Sequence, residues 1–155
     1  MKKVVFISST GGHLNELLQL KPLMKEYDSY LITEKTKSNL SLKEKFDKIY
    51  YLVYGTKRNL IPYLFKFTFN TIKSFILFLK IKPDAIVTTG THTAVPMCYI
   101  AKLFKCKVIY IETFANSKTK TLAGTIVYPI ADVFIVQWES MLKLYPKAIL
   151  GGWIY

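Results

Sequence analysis

Short apolar runs alternate with longer stretches of helical periodicity along the whole chain, the pattern of a parallel sheet covered by helices. The runs predict strands near residues 3–8, 29–33, 48–53, 84–88, 107–111, 132–137 and 147–150. After the first run, Leu14, Leu17, Leu18, Leu20 and Leu23 share one face of a helix that begins just past His13. The stretch Glu34 to Asp47 is lysine-rich without a clear period and reads as a loop or a short solvated helix. The expected fold class is α/β, a parallel sheet with helices on both faces, in one domain covering 1–155.

One segment breaks the pattern. Between Lys48 and Pro83 there is no acidic residue, while Lys48, Lys57, Arg58, Lys66, Lys73, Lys80 and Lys82 are all basic. A helix over about 59–80 would place Asn59, Lys66, Asn70, Lys73 and Lys80 on one narrow stripe. Leu60, Leu64, Phe65, Phe67, Phe69, Ile72, Phe75, Ile76, Phe78 and Leu79 occupy most of the remainder. Three readings stay open: a helix lying in a membrane interface, a helix buried against a core or partner, and a span of a bilayer. Spanning would put Lys66 and Lys73 in hydrocarbon at a few kcal/mol each. The interfacial reading is preferred, with Lys66, Phe67, Lys73, Phe75 and Lys80 as its membrane-contacting residues, because lysine and aromatic side chains combine an apolar body with a polar tip.

Composition narrows the partners. Lys+Arg 22 against Asp+Glu 10 gives a net charge of +12 on a chain that is still 51% hydrophobic, which suits an anionic membrane surface. Arg58 is the only arginine, an argument against base-specific reading of nucleic acid. Cys98 and Cys106 have no metal-ligand spacing and are expected to be buried, reduced thiols, in keeping with a cytoplasmic chain. No signal peptide is visible, so the mature protein is expected to begin at or near Met1. The apolar end Ile149-Leu150-Gly151-Gly152-Trp153-Ile154-Tyr155 would either dock on a partner or pack back on its own sheet.

The chemistry concentrates in two loops. His13 and His92, the only histidines, close Ser8-Ser9-Thr10-Gly11-Gly12-His13 and Thr88-Thr89-Gly90-Thr91-His92, each directly after a predicted strand. Ligand sites of open α/β sheets form outside the carboxyl ends of strands, so both loops are expected to face one cleft. Neither G-x-G-x-x-G nor a Gly-Lys-Ser/Thr phosphate loop is present, which removes support for NAD and ATP chemistry; no cofactor is expected. No Asp-x-Asp occurs, and no metal is expected. A histidine at a strand–helix turn suits deprotonation of an attacking hydroxyl; the alternative is that His13 only supports the first helix. Glu112, at a predicted strand end, would orient a sugar hydroxyl or assist His13, or else serve as a cap or surface acid.

Thr10-Gly11-Gly12-His13, Thr89-Gly90-Thr91-His92-Thr93-Ala94-Val95-Pro96 and Ile109-Tyr110-Ile111-Glu112-Thr113-Phe114-Ala115-Asn116 together resemble the N-terminal half of GT-B glycosyltransferases of the MurG type. The closer resemblance is to the stand-alone form of that half: the membrane-anchoring subunit of the split UDP-GlcNAc transferase of the dolichol pathway (Alg14-like) and its PssD-like bacterial counterparts in capsule and exopolysaccharide synthesis. This resemblance implies a Rossmann-like, acceptor-binding domain on the cytoplasmic face of the cell membrane. It also implies a separate donor-binding glycosyltransferase subunit that holds the UDP-sugar, and a polyprenyl-diphosphate-linked acceptor. By the same resemblance Gly11, Gly12 and His13 line the acceptor side of the cleft, and Gly90, Thr91 and His92 form the second glycine loop. Glu112 and Asn116 lie near the sugar. Thr91-His92 departs from the MurG pattern, which tends to carry further glycine and an aromatic there. A non-catalytic anchor that recruits a catalytic partner is the alternative.

Overall fold

Strands buried on both faces need apolar side chains at successive positions, and Val4, Val5, Phe6 and Ile7 are all buried. In the computed structural model, which describes residues 1–55 and 60–154, they belong to β1, Lys3–Ile7. Six more strands follow: β2 Asp28–Glu34, β3 Ile49–Leu52, β4 Ala85–Thr88, β5 Lys107–Ile111, β6 Val133–Val136 and β7 Ile149–Leu150. All pair in parallel in the order β3-β2-β1-β4-β5-β6-β7. The expected α/β fold class, a Rossmann-like sheet with helices on both faces, is the fold observed.

Alternation along β1 divides the core. Val4 and Phe6 face α1 (Gly12–Gln19) and α2 (Lys21–Met24) with Leu14, Leu17, Leu20 and Met24. Val5 and Ile7 face the opposite layer, containing Leu77, Phe78 and Ile81 of α3 (Leu60–Ile81), Met97 and Cys98 of α4 (Val95–Leu103), and Ala123 and Val127 of α5 (Leu122–Val127). The single helix expected after His13 is two, because Pro22 restarts it, and it begins two residues earlier, at Gly12, so His13 lies in its first turn. The lysine-rich stretch holds a 3-10 helix, Lys37–Glu44, closed by reciprocal bonds between Thr36 and Asn39. Glu34 is not part of that solvated stretch: it ends β2 and is 2% exposed. Both cysteines are free and buried. Lys57 and Arg58 of the acid-free basic segment and Asn59 of the predicted stripe lie outside the described residues.

Sheet order reverses between β1 and β4, where Ile7 pairs with Thr88. The chain leaves β1 toward β2 on one side and β4 toward β5 on the other, which opens a crevice at the strand ends.

Candidate active site

The two glycine loops flank that crevice. Gly11, at φ +80°, turns the chain into α1 and brings its carbonyl to the Asn15 N–H at 3.1 Å. Gly90, at φ +98°, leaves room for its neighbours: a Cβ there would lie 2.8 Å from the Tyr110 hydroxyl and 3.6 Å from the His13 ring. His13 Nδ1 lies 2.7 Å from the Thr89 carbonyl oxygen, and the Thr89 hydroxyl donates at 2.7 Å to the His13 carbonyl. A carbonyl only accepts, so Nδ1 carries the proton and, in the neutral ring, Nε2 holds the lone pair.

His13, Thr91 and His92 line one cleft of about 300 Å³ with Tyr63, Phe67, Val95, Tyr110, Thr121, Leu122, Ala123 and Ile126. Most of this wall is apolar. Burial, and secondarily the charge of Glu112, push the Tyr110 phenol far above the ordinary tyrosine range, so it stands at the cleft as a neutral hydroxyl. The His92 ring meets Tyr63 edge-on with centroids 5.4 Å apart. Its Nε2 is 3.7 Å from Glu34 Oε1, which also accepts a 2.7 Å bond from the Thr93 hydroxyl.

Two expected site residues lie elsewhere. Glu112 is 1% exposed and does not line the cleft. Its carboxylate accepts from Thr121 Oγ1 at 2.9 and 3.0 Å, from the Tyr145 hydroxyl at 2.9 Å and from the Thr113 N–H at 3.1 Å. It therefore fixes, from behind, Thr121, which is both the N-cap of α5 and part of the cleft wall. Asn116 accepts from the Thr119 N–H and hydroxyl and shapes an exposed turn. Gly11 and Gly12 are exposed at the loop rim, with nothing within 4 Å of an added Cβ.

Sequence reasoning missed Glu16 and Glu34. Glu16 accepts from the Thr113 hydroxyl at 2.7 Å and the Phe114 N–H at 3.2 Å, while its other oxygen lies 3.9 Å from His13 Nδ1. It ties α1 to the loop after β5. The signal was its i+3 spacing from His13. For Glu34 the signal was its place at the carboxyl end of an apolar run.

α3 turns an apolar face outward. Ile61, Leu64, Phe65, Phe69, Ile72, Phe75, Ile76 and Leu79 are all exposed, Phe65 by 74%. Lys66 and Lys80 are exposed among them and Lys73 is half-buried. The expected polar stripe is broken at Asn70, which is buried and exchanges two 2.8 Å bonds with the Val53 backbone. Phe67, expected on the outer face, turns inward and lines the cleft, because Asn70 and Ser74 mark the face packed on the protein. Leu103 and Phe104 at the end of α4 and Leu122 and Ile126 on α5 are exposed too; the last two also line the cleft. Among the described residues, no helix is long and apolar enough to cross a membrane.

Beyond the carboxyl ends of β5 and β6, Phe114 packs between Trp138 and Trp153 at centroid distances of 4.6 and 5.2 Å. The tail bonds back through the Ile154 N–H to Gln137, yet Trp153 stays 76% exposed beside exposed Ile149 and Leu150. The tail thus packs back on its own sheet in part.

Comparison with known proteins supplies the context for this geometry. Residues 3–154 match the family model described as "Oligosaccharide biosynthesis protein Alg14 like". The chain is 27% identical to the UDP-N-acetylglucosamine transferase subunit ALG14 of Mus musculus, an alignment spanning 97% of this chain and 82% of that protein. It is 40% identical to the Candida albicans subunit of the same name over 54% of this chain and 42% of that one. Among solved structures, Acinetobacter baumannii MurG superposes with a TM-score of 0.74 at 21% identity, covering 90% of this chain and 43% of MurG. Staphylococcus aureus MnaA with UDP superposes with a TM-score of 0.73 at 16% identity, covering 96% of this chain and 43% of MnaA. The chain thus spans less than half of either structure, and the likeness is one of fold.

Proposed function

The chain belongs to the Alg14-like oligosaccharide biosynthesis family, and from that premise we propose that it is the acceptor-binding, membrane-associated subunit of a two-component inverting glycosyltransferase. A separate donor-binding subunit presents a UDP-sugar, and the sugar passes to a polyprenyl-diphosphate-linked saccharide at the cytoplasmic face of the cell membrane. The curated relatives are named as subunits of a UDP-N-acetylglucosamine transferase, which supports both the donor class and the need for a partner. The capsule or exopolysaccharide setting follows the PssD-like resemblance of the glycine loops. The domain 1–155 acts as one acceptor-binding unit.

The observation that carries this reading is the tautomer of His13. With Nδ1 held on the Thr89 carbonyl, Nε2 is the basic nitrogen beside a cleft wide enough for a sugar. Transfer requires a base for the acceptor hydroxyl and a site from which water is excluded. His13 Nε2 takes the hydroxyl proton as the acceptor oxygen bonds to the anomeric carbon and the UDP oxygen leaves with the bonding pair. Tyr110 places a neutral hydroxyl at the cleft, and the apolar lining excludes water. The exposed face of α3 keeps an apolar surface next to the cleft, suited to the interfacial plane in which a polyprenyl acceptor resides.

The test is reconstitution. Purified chain is assayed with UDP-sugars and a lipid-diphosphate acceptor, with and without a donor-binding partner subunit. Transfer is expected only from the pair; robust turnover by this chain alone overturns the split-enzyme reading. The second reading, a non-catalytic anchor that recruits its partner, is favoured by the extent of the outward apolar face, and near-normal kcat of His13→Ala in the assembled pair would make it the leading one.

A further inference from the structure

Glu16 stands on α1 one turn after His13, and the chemistry above leaves one of its oxygens without a task. Its side chain is 15% exposed and does not line the cleft. Oε1 accepts from the Thr113 hydroxyl at 2.7 Å and the Phe114 N–H at 3.2 Å, donors 97 and 98 residues further along the chain that suit an ionised group, which only accepts. The loop that brings them is braced in turn. The Ala115 N–H donates to the Thr113 hydroxyl oxygen at 3.3 Å, and the Trp138 indole donates to the Phe114 carbonyl at 2.7 Å. Oε2 is buried, has no hydrogen-bond partner among the described residues, and lies 3.9 Å from His13 Nδ1. A buried oxygen bearing charge is costly unless something offsets it, and such an atom in a native fold calls for a reason. The Nδ1 proton does not supply one, because it is spent on the Thr89 carbonyl. The charge that the ring acquires does: among the described residues Glu16 is the one carboxylate within 4 Å of it, and the Tyr110 phenol nearby is neutral.

We propose that Glu16 is a positioning residue for the proton transfer: Oε1 fastens α1 to the loop after β5, and Oε2 is the counter-charge to the imidazolium that His13 becomes. The inference rests on the reading of His13 as the base and deepens it. In the transfer the acceptor O–H bond breaks and an Nε2–H bond forms, while the acceptor oxygen bonds to the anomeric carbon and the UDP oxygen leaves with the bonding pair. The ring gains a positive charge and keeps its Nδ1 proton on the Thr89 carbonyl. Glu16 takes no proton. Its charge, already desolvated and held still by Thr113 and Phe114, stands in place before the ring becomes positive, so little has to reorganise when it does. Because this attraction grows only as the proton moves, it lowers the barrier and leaves the binding of the acceptor unchanged.

Glu16→Gln keeps the length of the side chain and the oxygen to which Thr113 and Phe114 donate, and removes the charge. In the assembled pair it is expected to lower kcat about tenfold, the scale of one charge contact near 4 Å that solvent partly screens, with KM for the acceptor within about twofold. A double-mutant cycle separates charge from architecture. In a His13→Ala background the same substitution is expected to change the residual rate by less than about twofold, since no imidazolium forms there. In the ligand-free chain the imidazole ¹⁵N resonances of His13 are expected to move with Glu16→Gln and those of His92 to stay. Glu16→Asp keeps the charge and withdraws it by one methylene; a smaller loss with the same dependence on His13 is expected, and it carries the test if the glutamine variant fails to fold. Wild-type kcat in a folded Glu16→Gln pair, or a loss equal in size with and without His13, overturns the proposal. Near-normal kcat of His13→Ala removes the base reading and the counter-charge with it, an outcome seen before any Glu16 variant is made.

Discussion

His13 and Thr89 hold each other twice: ring Nδ1 against the Thr89 carbonyl at 2.7 Å, and the Thr89 hydroxyl against the His13 carbonyl at 2.7 Å. The pair joins the loops after β1 and β4 across 76 residues of sequence, and it fixes both the position and the proton of the imidazole.

His13→Ala is therefore expected to fold, bind its partner and lose about 10²–10⁴-fold in kcat. Thr89→Val removes one of the two bonds and leaves the tautomer-setting carbonyl in place. Its expected loss is about tenfold, near the net worth of a buried hydrogen bond. Single-turnover kinetics of the reconstituted pair, with acceptor binding measured separately, check both.

Gly90→Ala tests the close approach behind the imidazole. Its φ of +98° disfavours any side chain, and the new Cβ would stand 2.8 Å from the Tyr110 hydroxyl. Strain and collision together are expected to cost at least about 2 kcal/mol, lowering Tm by roughly 5 °C or more. Because the His13 ring is 3.6 Å from that Cβ, activity is expected to fall further than stability. Calorimetry beside an activity assay at a temperature well below Tm separates the two.

Phe65 and Phe69 project from α3 while Phe67 faces the cleft. Phe65→Ser and Phe69→Ser are each expected to weaken binding to anionic vesicles roughly thirtyfold, since burying a phenyl ring in the acyl boundary contributes about 2 kcal/mol. Rising salt is expected to weaken it too, as the lysines contribute about 1 kcal/mol each near an anionic surface. Phe67→Ser is expected to spare vesicle binding and impair acceptor affinity. Vesicle co-sedimentation indifferent to both salt and the outer phenylalanines would favour a protein partner on this face.

Burial pushes the Cys98 thiol up to about 12 and that of Cys106 to about 11. The native protein is expected to resist a thiol reagent at pH 8 and to react at both cysteines in denaturant. The folded state holds these protons more tightly than the unfolded chain, so stability is unaffected below the ordinary thiol range and falls as pH rises from there toward 11–12. Raised phenols at Tyr110 and Tyr145, both caused first by burial, extend the loss at higher pH. Urea titrations between pH 7 and 11 show the trend.

The period of the apolar positions determined the strands, the buried face of α1 and the covered parallel sheet, because period 2 and period 3.6 leave different imprints on a chain and seven parallel strands must each be covered. Glycine after a strand and histidine after glycine likewise pointed to the cleft, since those loops have one place to go in a sheet whose order reverses at β1 and β4. Orientation around α3 was not legible. An amide such as Asn70 looks solvated in sequence, and only the Val53 backbone, 17 residues away, turns it inward and swings Phe67 into the cleft. The fate of the carboxylates was not legible either. Glu112 and Glu34 both end strands, yet Thr121 and Tyr145 seal the first beneath α5 while Thr93 and His92 draw the second toward the cleft. A local pattern says which side chains can be buried; which polar groups find partners there depends on residues brought together from distant parts of the chain, and that only the tertiary structure decides.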